Sequence, residues 1–219
     1  VGKTRLAARI AGEIGAEIIS SDSMQVYKGM RILSQAPSRA ETRGVRHHLV
    51  GFLSPEDDFS VADFRSRAAG LVKDIIKRGQ TPLVVGGSGL YVKALVDGLF
   101  PSPAADLKYR DRMMGFVSRR GNEALHERLL KIDPEAALRI HPNDTRRVIR
   151  ALEIYYSTNK TMTELKASTR GLKDDYDVLM FGLTRPREDI YREIGLRADK
   201  MFRGGLVKEV KRLTKKRLS

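Results

Sequence analysis

The chain has 219 residues, 41 Lys+Arg against 27 Asp+Glu for a formal net charge of +14, and no cysteine. Such a length can bury a sizeable core, the missing cysteines exclude a disulfide framework and a thiolate metal site and suit a reducing cytoplasm, and no apolar run approaches the roughly 18 to 20 residues of a spanning helix, so a soluble protein with no membrane partner is expected. Most of the positive excess lies after residue 100, and a surplus of this size points to a polyanionic partner, nucleic acid first, ahead of ordinary surface solvation.

The opening "VGKT" reads as the second half of a phosphate loop whose earlier glycine and feeding strand belong upstream of residue 1. Residues 4–14 then set Leu6, Ile10 and Ile14 four apart with Gly15 in the stop position, the spacing of an amphipathic helix. "AEIIS" (16–20) predicts a short buried strand. Residues 59–79 predict a helix opened by Ser60, with Asp63 three residues on completing a capping box and Phe64, Ala68, Leu71 and Ile75 as its buried stripe. "TPLVVGG" (81–87), a continuous apolar run closed by glycines, predicts a central parallel strand covered on both faces, and "GLYVKALVDG" turns helical. The alternation is that of an α/β sheet wound with right-handed crossovers, in which function gathers at the carboxyl ends of the strands.

From residue 101 the texture changes. "PSPAAD" is a linker, and the charged stretch to about 170 is helix-like without a convincing strand, which predicts an inserted helical subdomain. Within it "HPNDTRRVIRALEIYYST" takes Asn143 or Asp144 as N-cap, turns Val148, Leu152 and Tyr155 inward, and sets Arg146 and Arg150 one turn apart on the surface. "DVLMFGL" (177–183) predicts a returning strand. Pro186, Glu188 and Asp189 then start a helix with Ile190, Ile194 and Met201 as its stripe, broken at Gly204-Gly205, and "LVKEVKRLTKKRLS" closes the chain as a basic amphipathic helix.

Five groups of residues invite chemistry. Gly2-Lys3-Thr4 at the start of a helix fits the end of a phosphate loop, in which backbone N–H groups cradle phosphate oxygens, the lysine neutralises them and the hydroxyl reaches Mg²⁺. Asp22, just past the first strand, suits a base beside such a loop, or equally a turn-capping carboxylate between Ser21 and Ser23. Gly86-Gly87-Ser88-Gly89 lets backbone approach a ligand or simply permits a tight strand-to-helix turn. His47 and His48 point to opposite sides of an extended segment, which favours packing or polar bonding over a metal site. Arg197 is one turn from Glu193, as a salt bridge or as a phosphate clamp.

Taken together, "GKT" (2–4), "SDSMQVYKGM" (21–30), "HHL" (47–49), "FSVADFR" (59–65), "PLVVGGSGLYVKAL" (82–95), "DP" (133–134), "IHPNDTRRVIRALE" (140–153) and "GLVKEV" (205–210) resemble, in order and over essentially the whole chain, the tRNA dimethylallyltransferase family. The resemblance implies a P-loop NTPase-like α/β core, a parallel sheet flanked by helices over residues 1–104 and 172–219, with a small all-helical insertion at 105–171 that grips the tRNA anticodon stem-loop. It implies transfer of a dimethylallyl group from dimethylallyl diphosphate to N6 of the adenosine adjacent to the anticodon, with release of diphosphate and with Mg²⁺ held through Thr4. Asp22 then matches the general base, with Thr4 and Arg197 also catalytic. Gly2, Lys3, Thr4 and Arg197 match the diphosphate-binding positions, and Asp22, Ser23, Met24, Gln25, Ser88, Arg110, Arg146, Arg147 and Arg150 match positions that touch tRNA. Departures from the family pattern are "LSQAP" (33–37) in place of its G-T-A-K-P, and Ser88 in place of a threonine. Rival readings are an adenylate isopentenyltransferase acting on free AMP, ADP or ATP, which has little use for a basic insertion, a phosphate-loop kinase, and a noncatalytic RNA-binding protein. A monomer is expected.

Overall fold

A computed structural model describes residues 2–101 and 103–215. The elements run α1 (Lys3–Ile14), β1 (Ala16–Ser21), α2 (Arg39–Thr42), β2 (His47–His48), α3 (Val61–Lys77), β3 (Thr81–Gly86), α4 (Gly89–Val96), α5 (Leu107–Ile132), α6 (Pro134–Arg139), α7 (Thr145–Thr158), α8 (Met162–Ala167), α9 (Arg187–Arg203) and α10 (Leu206–Leu213). They fall into two compact units, one formed by the residues up to Asp97 together with those from Gly171 onward, the other by Gly98–Arg170.

The first unit is built on a parallel sheet of order β2-β1-β3, with Ile18 opposite His47 and Leu83, and Ile19 opposite His48 and Val84. Successive side chains of a strand face opposite ways. Ile18, Leu83 and Val85 therefore meet Ala7, Ala8 and Ala11 of α1, while Ile19 and Val84 meet Phe64, Ala68, Val72 and Ile75 of α3 with Tyr91 and Leu95 of α4. The capping box of α3 forms as expected, Ser60 and Asp63 exchanging side-chain and backbone bonds.

Five expectations need correcting. The buried face of α1 is its alanine face, because small side chains let the helix lie close on the sheet, while Leu6, Ile10 and Ile14 are 42%, 39% and 54% exposed. In α3 the fourth buried residue is Val72, not Leu71. Among the described residues the central strand is β1 and β3 lies at the edge of the sheet, although both its faces are packed, Leu83 and Val85 on α1 and Val84 on α3, as its continuous apolar run predicts. Residues 177–183 form no strand among the described residues. Their apolar run belongs to no hydrogen-bonded ladder, and Leu179 and Phe181 are largely exposed. Likewise α9 buries none of its residues, Ile190 and Met201 being half-buried and Ile194 exposed. The closing helix is α10, and the last four residues of its expected span lie outside the described residues.

Glu17, one position before Ile18 on β1, is buried at the amino end of the sheet. Arg78, just after α3, grips it with both terminal nitrogens, one of them 3.0 Å from Oε2, and His48 Nε2 lies 2.6 Å from the same oxygen. The Arg78 guanidinium, with His48 assisting, outweighs the burial that pushes the carboxyl up, and holds it down at about 2. His48 is thus a polar strut, and His47 Nδ1 bonds the Val45 carbonyl.

The helical unit packs Tyr109, Met113, Leu125, Leu129, Ala136, Ala137, Ile140, Val148, Ile149, Ala151 and Leu152 into one core. Tyr155 is only half-buried. Its long first helix, α5, is interrupted at Gly121 (φ 84°, ψ 168°), a left-handed conformation that only glycine adopts without strain. Asp133 caps α6, accepting from the Ala136 N–H at 3.0 Å, and ties down α8 through Thr163 Oγ1 at 2.7 Å. Where the unit begins and ends, a β-carbon on Gly98 would stand 2.5 Å from the Arg170 carbonyl oxygen, so the two ends of this segment touch.

Candidate functional site

The carboxyl ends of β1 and β3 lie side by side and are stitched together beyond the ladder. The Ser88 N–H donates to the Ser21 carbonyl at 3.2 Å, and the Ser23 N–H donates to Ser88 Oγ at 3.2 Å. A β-carbon on Gly86 would stand 2.0 Å from the Ser21 carbonyl oxygen, so only glycine lets the strands meet there. One residue on, the position of a β-carbon on Gly87 is 3.7 Å from Lys3 Nζ, which brings the lysine of α1 over the same turn. Gly2 (φ 84°) opens α1, no side chain among the described residues caps its first N–H groups, and no acidic residue sits in its first turn. The result is a helix start, an ammonium and a glycine turn facing one another, the donors a diphosphate requires.

Asp22 sits between Ser21 and Ser23 at this junction, half-buried. Its Oδ1 accepts from the N–H groups of Met24 (2.9 Å) and Gln25 (3.4 Å), so it does cap the turn, while Oδ2 has no partner among the described residues. One oxygen thus fixes the side chain and the other is left to act as a base. Gln25 extends the arrangement: Oε1 accepts from Ser20 Oγ at 2.9 Å, and Nε2 donates to the Gln35 carbonyl at 3.3 Å. Gln35 in turn accepts from Arg197 Nη1 at 2.5 Å. Arg197 is therefore not paired with Glu193; it is drawn to the loop that departs from the family pattern. That loop is held by the buried Glu209 of α10, which accepts from the N–H groups of Ile32 (3.1 Å) and Leu33 (2.8 Å), while Arg212 donates to the Gly29 carbonyl at 2.9 Å. Neither Gln35 nor Glu209 stood out in the sequence. The signal for Glu209 was one acid among the cations of an amphipathic helix, and that for Gln35 only its place in "LSQAP", where the chain departs from the family pattern.

The arginines of the helical unit divide. Glu153 on α7 is buried and accepts from Arg110 Nε (3.0 Å) and Nη2 (2.9 Å), from the Asp106 N–H (2.7 Å) and from Arg150, which also donates to the Pro103 carbonyl at 2.9 Å. Burial alone would raise this carboxyl, but the bonds from Arg110, Arg150 and Asp106 together lower it to about 2. Arg110 and Arg150 are therefore committed to joining the start of α5 to α7. Arg147 is exposed and pairs with Asp144, the N-cap of α7, at 3.3 Å, and Arg146 is exposed with no partner among the described residues. Among the described residues no three His, Asp or Glu side chains gather as a metal site, and Thr4 lies in the first turn of α1, beside Lys3.

Comparison with known proteins adds a lineage to this geometry. Residues 25–219 match the family model described as IPP transferase. A Bacillus velezensis protein named tRNA dimethylallyltransferase is 48% identical over 215 residues, 97% of this chain and 68% of that protein. The crystal structure of full-length tRNA isopentenylpyrophosphate transferase from Bacillus halodurans superposes with a TM-score of 0.64 at 41% identity, covering 98% of this chain and 66% of that one. A eukaryotic dimethylallyltransferase described as acting on tRNA gives a TM-score of 0.79 at 30% identity, over 98% of this chain and 53% of its own. The parallel sheet with a phosphate-loop helix at its carboxyl edge is the P-loop NTPase-like arrangement expected from the sequence.

Proposed function

The chain belongs to the IPP transferase family, and from that premise we propose that it carries the core of a tRNA prenyltransferase: dimethylallyl diphosphate gives up its dimethylallyl group to N6 of the adenosine adjacent to the anticodon. The observation that supports this reading most is the junction of the strand ends, where Lys3 lies over Gly87, Ser88 ties down Ser21 and Ser23, and Asp22 stands between them with one oxygen unengaged.

The chemistry asks for that set of groups. An exocyclic adenine amine is a feeble nucleophile because its lone pair is conjugated into the ring, so the carbon–oxygen bond of the donor must do much of the breaking as an allylic cation develops. Stabilising the departing diphosphate is then the main catalytic task, suited to the open N–H groups of α1, to Lys3 and to Arg197. As the new C–N bond forms, Asp22 Oδ2 takes the N6 proton. Mg²⁺ would supply further neutralisation of the diphosphate, with Thr4 as the chain's own donor to it. The purine must leave the stack of its loop to reach Asp22, and Ser23, Met24, Gln25 and Ser88 line the approach.

In the helical unit we assign RNA contacts chiefly to Arg146 and Arg147, whose guanidiniums are exposed, and we assign Arg110 and Arg150 to hold the surface that presents them. Phosphate contacts of this kind position RNA and carry little sequence information. We read the enzyme as a monomer working in the cytoplasm. No helix among the described residues is long and apolar enough to cross a membrane. The intact protein, mixed with labelled dimethylallyl diphosphate and unmodified tRNA, is expected to incorporate label into RNA and to leave AMP unlabelled. Label appearing in AMP, with tRNA untouched, would overturn the assignment in favour of the free-nucleotide enzyme.

A further inference from the structure

The helical unit contains a cavity of about 430 Å³, within the roughly 300 to 1,000 Å³ typical of ligand sites. None of the residues discussed so far as catalytic lines it. Its walls carry three guanidinium groups, Arg112, Arg119 and Arg128, and three aromatic rings, Tyr109, Phe116 and Tyr156.

Each of these groups is left in a state that a ligand would complete. None of the three arginines is ion-paired among the described residues; Arg128 lies 3.8 Å from the centre of the Phe116 ring and Arg112 lies 5.3 Å from that of Tyr109. Three cations on one concavity repel each other, and an anion would relieve that. Tyr109 is 7% exposed, and its buried hydroxyl has no hydrogen-bond partner among the described residues. Burial pushes the phenol up to about 12, with Tyr156, Arg112 and Arg128 of the cavity wall and Glu153 outside it also acting on it, so it stays a neutral donor at working pH. Tyr156, tilted 45° from Tyr109 with centroids 5.7 Å apart, is mostly exposed and offers its ring at the rim.

The interruption at Gly121 makes this cavity. Phe116 and Arg128 are twelve residues apart and would stand about 18 Å apart along an unbroken helix, yet the guanidinium rests on the ring. Guanidinium forks match phosphate oxygens, flat rings take an unstacked base, and a phenol donates to a base edge or a ribose.

We propose that this cavity receives one unstacked nucleotide of the RNA substrate, a second one besides the adenosine offered to Asp22, with its base against Tyr156 and Phe116, its edge on the Tyr109 hydroxyl and its phosphate on Arg112, Arg119 and Arg128. The proposal rests on the reading that the helical unit binds tRNA.

Binding of unmodified tRNA by the intact protein, measured by fluorescence anisotropy over a range of salt, tests it through two variants. Tyr109→Phe removes one oxygen and keeps the packing, so it is expected to weaken tRNA binding about 3- to 10-fold while thermal stability is unchanged or higher. Arg112→Ala with Arg128→Ala is expected to weaken it at least about tenfold and to flatten the salt dependence. A tRNA carrying 2-aminopurine at successive loop positions should brighten at one position with the wild type and lose that signal with Tyr109→Phe. Wild type that binds while both variants bind equally well overturns the proposal alone; wild type that binds no tRNA overturns the functional reading along with it. Inorganic phosphate or AMP that competes with tRNA only through these arginines would reassign the cavity to a free anion.

Discussion

Glu17 in the α/β unit and Glu153 in the helical unit are both buried carboxylates held at about 2 by arginine, yet they divide the charge around them in opposite ways. Glu17 sits five residues before Asp22, at the amino end of β1, and its partners Arg78 and His48 join α3 and β2 to the central strand away from the strand tips. Among the described residues neither Lys3, at those tips, nor Arg197, drawn to the loop at Gln35, has a carboxylate partner. Glu153 lies in the middle of α7 and takes up Arg110 and Arg150, one of which alternates along the helix with the exposed Arg146 and Arg147. The α/β unit therefore keeps its pairing charges apart from its working ones, while the helical unit interleaves them. A count of arginines overstates what that surface can offer to RNA.

The sharpest way to break the contrast is at Asp22. Asp22→Asn keeps the turn bonds to Met24 and Gln25 available but removes the base, and is expected to lower turnover by about 10³-fold while tRNA affinity stays within about twofold; near-normal prenyl incorporation would take Asp22 out of the chemistry. In the helical unit the largest effect should be on stability. Glu153→Gln leaves Arg110 and Arg150 short of their shared anion and is expected to cost about 2–3 kcal/mol, at or just below the roughly 3–5 kcal/mol of a fully buried broken pair because both guanidiniums keep some water. Chemical denaturation, with exchange protection read separately for each unit, should find the loss confined to the helices.

Acid should act on both units alike. Unfolded, each glutamate protonates near its ordinary 4.5; folded, each stays ionised down to about 2. The unfolded chain therefore binds more protons between those values, so both groups contribute their full stability above about pH 5 and lose it as the pH falls through that window, about 1–3 kcal/mol each. In Glu153→Gln the α/β unit should keep this acid sensitivity and the helical unit should lose most of it. The smallest effect is expected at Gln35. Gln35→Ala frees Arg197 from the loop, and should raise KM for dimethylallyl diphosphate about 3- to 10-fold with tRNA binding unchanged.

Local signals with a fixed spacing were legible in the sequence. Ser60 with Asp63, the cap before α7, the strand at 16–20 and the lysine opening α1 all depend on neighbours a few residues away, and each formed, the strand one residue longer than expected. What misled was periodicity without a partner. Leu6, Ile10 and Ile14 make the more apolar stripe of α1, but Ala7, Ala8 and Ala11 are what the sheet can approach closely, and alanine hardly registers in such a pattern. The run at 177–183 had the composition of a strand, but a strand is defined by its ladder. Arg110 and Arg150 matched RNA-contacting positions by resemblance; Glu153 is within a turn of Arg150 on the same helix, but nothing near Arg110 in sequence announced that the same carboxylate, 43 positions away, would claim it too. Gln35 and Arg197, separated by 162 positions, meet only through the fold.

Gly98 and Arg170 touch where the helical segment leaves and rejoins the rest of the chain, and the backbone at Gly98 (φ 91°) admits no side chain there. A segment whose two stems share one doorway can be cut out, lengthened or traded for another with a short splice, because the host strands and helices are never asked to stretch across a gap. Evolution could thus refit the RNA-facing accessory of this scaffold independently of its prenyl chemistry, and a protein engineer has the same seam to work with.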